Sequence, residues 1–541
     1  MEQEPRRRRK RPLGSWRVLI EGGLFFVLVI VVLTVLGVVL TAGRGTSAPP
    51  PDTLVVSQTQ DFASLDPALA QTTQAWELEY ATCAKLVNYP ARSGYRGTRL
   101  APEVARALPA ISPDRRTYTF TLRRGWRFSD GSAVTAASFA RALERARSPE
   151  LLSPAAPYLR EVEGWTTRGR TLTIRLRSVA PDFLERLALP YFCAVPADAP
   201  NRQSDRLPSA GPFAVAHYTP GRSLILERNR YYAGPRRPSI SRIFYRFGAF
   251  ASQIRLELEQ GEADYAVVTP SAFASLAEKF GSDPKHLFVV QQPTVAYLAL
   301  NTERPLFKDN PWLRRAVGYA LDRPELVRLF GPQGARPADE YLPPGFPGYR
   351  AAHVYPLDGP DLAKARALAE GHLRSGHATF LACGTQDCAE RAIVVADALA
   401  KIGLKVRIDS SPGQFTLAGV RGTKFDIADV ITRPDYGDPY GLVEKLLDGR
   451  VIRAVGNTNL SYYASPAITH AIDAAQHLTG VARDRAYGKL GVEVARTDAP
   501  LTAYAVLNAR VFVSERVGCI TYQPVYGLDV AGVCLSGRPA G

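Results

Sequence analysis

The chain lacks the short motifs that mark the common catalysts. H-E-x-x-H, G-x-x-x-x-G-K and G-x-S-x-G are all missing from its 541 residues. The first would put two zinc ligands and a general base on one helix face. The second would cradle phosphate on backbone N–H groups, and the third would hold a serine nucleophile on a strained turn. Histidine is scarce, at seven residues, and pairs only as His372/His377 and His470/His477. His470 and His477 stand seven apart on a helix opened by Ser465-Pro466, which reads as a solvent face. His372, His377, Cys383 and Cys388 fall close together, but H-x4-H followed by C-x4-C fits no common zinc template. Neither a metal nor a cofactor is expected. No interleaving of basic and aromatic residues typical of nucleic-acid binders is present. There is no internal repeat. No long apolar run occurs after the N-terminal one, and no cysteine directly follows that run to carry a lipid.

The N-terminus carries the strongest topological signal. Arg6-Arg7-Arg8-Arg9-Lys10-Arg11 precedes an apolar run from Leu24 to Leu40, extendable from Val18 to Ala42. About 20 apolar residues span a bilayer core. Basic residues hold the adjacent end in the cytoplasm. The expectation is a cytoplasmic tail at 1–17, a single transmembrane anchor at 18–42 and a Pro-rich linker at 43–52. Everything later then lies outside the cell membrane. A cleaved signal segment is the competing reading, with Thr46 and Ala48 as its small residues, although such apolar regions usually run ~7–15 residues.

Net charge is +16, and residues 1–50 hold eight basic and three acidic side chains, so +11 falls after them. A basic exterior favours acidic surroundings such as phospholipid head groups or cell-wall polymers. A solvated Arg-rich surface is the plainer reading. Six cysteines outside the cytoplasm are compatible with disulfides. Six thiols allow 15 pairings, and sequence does not choose among them; short loops favour Cys383–Cys388 and Cys519–Cys534, which leaves Cys83–Cys193.

The run Pro113–Leu143 is the most informative block. Tyr118, Phe120 and Leu122 alternate with Thr117, Thr119 and Thr121, the period of a strand covered on one face. Arg124-Gly125 and Asp130-Gly131 are turn pairs. Thr135 can cap a helix whose apolar positions are Ala136, Phe139, Ala140 and Leu143. Farther on, Asn310 can cap a helix that has Pro311 at its first position. Asp361–Glu370 reads as a helix closed by Gly371. Thr379–Ala382, a helix over Ala389–Ile402, and Leu404–Ile408 read as a strand-helix-strand unit between parallel strands. A helix over Arg483–Arg496 leads to a strand at Leu501–Leu507. Enough residues follow the anchor for two to four domains.

The order of residues in Pro113–Leu143 resembles the strand-turn-helix block of the family-5 extracellular solute-binding proteins. These are the peptide, dipeptide and nickel receptors of ABC importers. The match is near-continuous, except that Ser138 stands where the family usually has Asp. Ser64-Leu65-Asp66-Pro67-Ala68 resembles the family's entry motif, and Glu77–Val87 its next helix more weakly. Ser209–Phe213, Asn229–Tyr232, Gly261–Asp264, Tyr297–Thr302 and Ala320–Arg323 resemble further blocks in order. The resemblance covers roughly Thr53 to Cys534.

That resemblance implies an α/β fold: a two-lobed clamp of the periplasmic-binding-protein kind with an extra small domain. Lobe one would comprise 52–86, 206–290 and 500–541, with the small domain at 87–205 and lobe two at 291–499. It implies a non-enzymatic receptor that captures peptides, or other small solutes, by hinge closure and delivers them to ABC permease subunits. The receptor itself would be a monomer. A membrane-anchored sensor or envelope scaffold on the same fold is the alternative. Recognition would concentrate in Asp429–Leu442, DVITRPDYGDPYGL, where Asp435 matches the carboxylate that pairs with a peptide's α-ammonium. A buried ammonium needs such a partner once closure removes its water. Tyr436 stands beside it, and Gln71, Thr72 and Thr73 form the loop expected to reach into the cleft. Asp429 and Arg433 occupy the place where some relatives set an Arg for a peptide carboxylate. Asp438 reads as a turn former.

Overall fold

Two long strands organise the molecule. In this computed structural model the described residues are 50–266, 270–281, 283, 285–411 and 413–536. The tail, the anchor segment and the linker as far as Pro49 lie outside them. Among the described residues no helix is long and apolar enough to cross a membrane.

Leu287–Leu300 and Leu501–Val513 run antiparallel. Leu287–Gln291 pairs with Asn508–Phe512, Val295–Ala299 pairs with Leu501–Val506, and the register breaks between Gln291 and Val295. Pro293 sits in this break, where its missing N–H removes no ladder bond. Below the break the sheet continues through Tyr265–Ala266 to Thr53–Ser57, Arg242–Arg246, Ser223–Arg228 and Phe213–Thr219. Above it come Ile427–Thr432, then His377–Cys383 and Lys405–Ser411 in parallel. With Ala335–Pro337 on the side, the described residues make one eleven-stranded mixed sheet. Ile427–Thr432 touches only the upper part of Leu287–Leu300, and Tyr265–Ala266 only the lower end of Leu501–Val513. The sheet therefore has two halves joined by two strands.

Strand periodicity decides the cores. Val295, Tyr297 and Ala299 pack into one cluster of the upper half, and Ala296, Leu298 and Leu300 into the other. Successive side chains point to opposite faces, so a strand buried on both sides reads as a continuous apolar run. Leu501, Ala503 and Val506 join the first cluster, and Tyr504 and Ala505 the second. The doubled step at Tyr504 follows from a register shift opposite Ala296 and Tyr297.

A four-stranded antiparallel sheet of Ala110–Ile111, Thr117–Thr121, Thr171–Leu176 and Val162–Arg168 stands apart from the large one. Tyr118 and Phe120 are buried on its covered face, under the helix Ala136–Arg147 that Thr135 precedes. Ser138 accepts the Thr135 N–H at 3.1 Å, so it fills the reciprocal capping role of an acidic residue there. Gly125 and Gly131 both take positive φ, as their turns require.

One helix lies elsewhere than expected. Glu77–Val87 reads as helical, whereas the helix is Thr73–Thr82. Thr72 caps it by accepting the Ala75 N–H at 3.1 Å. Cys83 then turns extended, and Val87–Asn88 pairs with Ala101–Pro102 as a strand. The three disulfides are Cys83–Cys193, Cys383–Cys388 and Cys519–Cys534, and no described cysteine is free. With Cys383 and Cys388 joined to each other, no thiolate pair remains there for a metal.

Candidate functional site

The segment 433–438 leaves the upper half at the end of Ile427–Thr432 and precedes the helix Tyr440–Leu447. It reaches residues far away in the chain: Thr73, Tyr89, Tyr158, Asp182 and Val525. The Arg433 guanidinium donates to Thr73 Oγ1 at 3.0 Å and to the Val525 carbonyl, and lies 5.3 Å from the Trp76 ring centre. Asp435 accepts from the Tyr158 hydroxyl at 2.7 Å and from the Lys445 ammonium. The Tyr436 hydroxyl donates to Asp182 at 2.6 Å. The Gly437 N–H donates to the Tyr89 hydroxyl at 2.9 Å. A Cβ on Gly437 would stand 2.7 Å from the Thr98 carbonyl oxygen, so only glycine allows this approach.

Two separate cavities result. One, of about 500 Å³, lies where the two halves join and is lined by Thr73, Gln74, Glu77, Gln292, Arg433 and Arg510, among others. The other, of about 250 Å³, is lined by Tyr158, Arg160, Asp435, Glu444, Lys445 and Arg453, among others. The structure thus brings Thr73 and Arg433 together and puts Asp435 in a different cavity. Thr72 is exposed and spends its hydroxyl on the helix cap. Gln71 is exposed at the start of that loop. Tyr436 is buried at 3% exposure, in the same cluster as Tyr118 and Phe120 and edge-on to Tyr158.

Burial alone would raise the Asp435 carboxyl. The Lys445 charge and hydrogen bond, aided by Tyr158, outweigh it and hold the group below its ordinary value. Asp438 caps the next turn by accepting the Tyr440 N–H at 2.9 Å, and it is ion-paired with Arg483. Asp429 is buried between the Arg391 guanidinium at 2.9 Å and the Tyr504 hydroxyl at 2.6 Å, which leaves it no solute to meet. Tyr158, Lys445, Trp76, Glu77 and Arg510 escaped the sequence reading. Of these, Trp76 and Glu77 left a signal: they follow Thr73 by three and four residues, about one helical turn, on the same face.

Glu77 lines the larger cavity and accepts the Leu528 N–H at 2.8 Å. Burial pushes its carboxyl up to about 8. The folded chain therefore keeps a proton there that the unfolded chain has already lost. Stability is fully present below about pH 4.5 and falls as pH rises toward 8. Glu77→Gln keeps the acceptor and removes the charge. Its advantage over the parent should grow through that window, by at most about 1.4 kcal/mol for each tenfold fall in proton concentration. Urea unfolding at pH 4.5 and at pH 8.5 checks this; a gain of the same size at both rejects the assignment.

The chain belongs to a known family. Residues 99–452 match the model described as "Bacterial extracellular solute-binding proteins, family 5 Middle". The chain is 26% identical over 415 residues to the probable D,D-dipeptide-binding periplasmic protein DdpA of Escherichia coli K12, covering 73% of this chain and 77% of that protein. It is 26% identical over 387 residues to the glutathione-binding protein GsiB of the same organism, covering 68% and 71%. Among solved structures, clavulanic acid biosynthesis oligopeptide binding protein 2 superposes with a TM-score of 0.78 at 25% identity, over 90% of this chain and 96% of that one. The periplasmic binding protein DppA of Helicobacter pylori, solved with the peptide STSA, shares the fold with a TM-score of 0.69 at 21% identity, over 91% and 99%. Proteins of this family bind peptides or small solutes outside the cytoplasm and work with ABC permeases. They are transport receptors, not enzymes.

Proposed function

We propose that this chain captures peptides, or solutes built like them, for an ABC importer, and that it does so in the cavity where the two halves join. The observation that carries this reading is the position of that cavity. Residues from both halves line it, and it lies beside the register break of the two connecting strands. A break in the ladder is where two packed halves can rotate with least loss of hydrogen bonds. The volume of about 500 Å³ suits a small ligand, since such sites run ~300–1,000 Å³. The two halves act as lobes, and segment 433–438 is the part of the upper lobe that closes on the lower one. The receptor works as a monomer, tethered by residues 18–42.

Native mass spectrometry of the full-length chain, purified in mild detergent, tests the receptor reading. A bound solute of peptide mass is expected. Repeated purification with nothing bound, and no rise in melting temperature on adding a protein digest, would favour a scaffold role. The tether is tested separately. A periplasm-active reporter fused after Gly541 should be exported while the protein stays in the membrane at full-length mass. A soluble form beginning near Ala42 or Pro49 removes the anchor.

A further inference from the structure

The segment 433–438 docks on a cluster in which carboxylates outnumber guanidiniums. Tyr436 donates to Asp182 at 2.6 Å, from 254 residues away in the chain. Asp182 directly precedes the helix Phe183–Leu187, and Phe183 and Leu187 share a core with Tyr118 and Phe120. Glu185 stands on that helix. From the other side come Asp438 and the helix Gly480–Thr497. That helix carries Arg483, and its Tyr487 packs in a core of the upper half. Two separately packed cores therefore meet through Asp182, Glu185, Arg186, Asp438 and Arg483.

Hydrogen bonds are shared unevenly in this cluster. Arg483 is ion-paired with Asp438. Arg186 donates to Asp182 at 2.9 Å and to Glu161 at 2.7 Å. Both guanidiniums are thus engaged by other carboxylates, and Glu185 is left over. Its Oε2 is closed off from solvent and has no hydrogen-bond partner among the described residues; Asp182 Oδ1 is in the same position. A buried carboxylate oxygen without a partner is costly to charge, and a proton removes that charge. The charged groups that face Glu185 are Asp438 on the segment, Arg483 on the long helix and Asp182 beside its own helix. The Tyr89 and Tyr118 hydroxyls are the neutral groups around it. Arg115 and Asp484 act on the rim, on Tyr118 and Arg483 respectively.

We propose that segment 433–438 closes onto the helix Phe183–Leu187 with uptake of a proton at Glu185, so that the receptor holds its solute more firmly in acidic than in alkaline surroundings. This rests on the receptor reading above. Burial, and then the Asp438 charge, push the Glu185 carboxyl from 4.5 up to about 8, against Arg483. Burial raises Asp438 as well. When the segment moves away, water reaches Glu185 and its carboxyl returns to the ordinary range. The closed state then binds a proton that the open state has lost. Its advantage is fully present below about pH 4.5 and is lost as pH rises through about 8. Between these limits the ratio of closed to open should change by up to about tenfold per pH unit.

Amide hydrogen exchange of the full-length chain in mild detergent reads the contact without any solute. It is run at about pH 6 and about pH 8.5 and corrected for the intrinsic rate at each. Protection of residues 181–188 and 433–440 should be greater at the lower pH. Glu185→Gln needs no proton, so it should show the protection of the low-pH parent at both values. Asp484→Asn should keep the parent's pH dependence, because Asp484 stays beside Arg483 whether the segment is docked or not. Equal protection in the parent at both pH values overturns the proposal. So does a pH dependence that Glu185→Gln retains or Asp484→Asn abolishes, or a loss of protection in Glu185→Gln at both values. A casein digest is then offered at the same two pH values, with captured species read by mass spectrometry. The gain in capture at low pH should be larger for the parent than for Glu185→Gln, and an equal gain breaks the link to solute. If no digest species is captured at either pH, the receptor reading fails, and the exchange result alone decides the proton-linked contact.

Discussion

Asp66→Asn should lower the stability of the chain by roughly 3–5 kcal/mol, because it leaves a buried guanidinium without its counter-charge. Asp66 and Arg145 form an ion pair in which both side chains have 0% exposure. The carboxylate also accepts the Ala68 N–H at 3.1 Å and the Ser204 N–H at 2.9 Å. An amide keeps the shape but presents an NH₂ where donors already point. The pair ties the segment leading to Thr72 and the helix Thr73–Thr82 to the helix Ala136–Arg147. Solute capture should therefore weaken along with stability. Urea unfolding of parent, Asp66→Asn, and Asp66→Asn with Arg145→Met measures the effect. The double variant should recover much of the loss, because it removes the stranded charge. A single-variant loss under about 1 kcal/mol would mean that water reaches Arg145.

Opening the Cys83–Cys193 bridge should be as severe. It closes a loop with a sequence separation of 110, and chain entropy values a loop of that size at about 4–5 kcal/mol. Cys519–Cys534, at a separation of 15, should be worth about 3 kcal/mol, and Cys383–Cys388, at 5, less again. Cys83 also ends the helix Thr73–Thr82, so its bridge fixes one end of the element that presents Thr73 to Arg433. Paired Cys→Ala variants, unfolded in urea without reductant, give the three values. An order in which Cys383–Cys388 matters most would defeat the entropic account. Alkylation of the denatured parent without reductant should label none of the six cysteines.

The elements that were legible in the sequence are those governed by local rules. Tyr118 and Phe120 go inward and the threonines beside them do not, because a strand alternates. The Asn310 side chain caps its helix and Pro311 opens it, because the first helical N–H needs no partner. Asp361 caps the helix Leu362–Ala369, and Gly371 follows with positive φ. Thr379–Ala382 falls within the strand His377–Cys383, and Leu404–Ile408 overlaps the parallel strand Lys405–Ser411, with the helix Gln386–Ala400 between them in sequence. Of the three disulfides, short loops favoured Cys383–Cys388 and Cys519–Cys534, and only the fold chose among the open pairings and joined Cys83 to Cys193 across a separation of 110. The helix that the family resemblance placed at Glu77–Val87 stops at Thr82, because the disulfide at Cys83 and the strand at Val87–Asn88 hold the chain in extended geometry.

What the sequence determined by itself was the family order of blocks, the position of segment 433–438, and the chemical type of each side chain there. Spacing along the chain carries that much, since caps, turns and alternation act within a few residues. Only the tertiary structure decided which side chains meet. Arg433 and Thr73 are 360 residues apart, and Asp435 and Tyr158 are 277 apart. Lys445 lies ten residues beyond Asp435, and it reaches the carboxylate only because the turn at Asp438 sends its helix back beside the segment. Arg510 sits in a long apolar strand and looks like a solvent-facing residue until the two halves close a cavity around it. A charge keeps the same local signature whether its partner is a ligand, a neighbouring side chain or water. The fold supplies the partner, and so it decides that Asp435 is answered from within, by Lys445 and Tyr158.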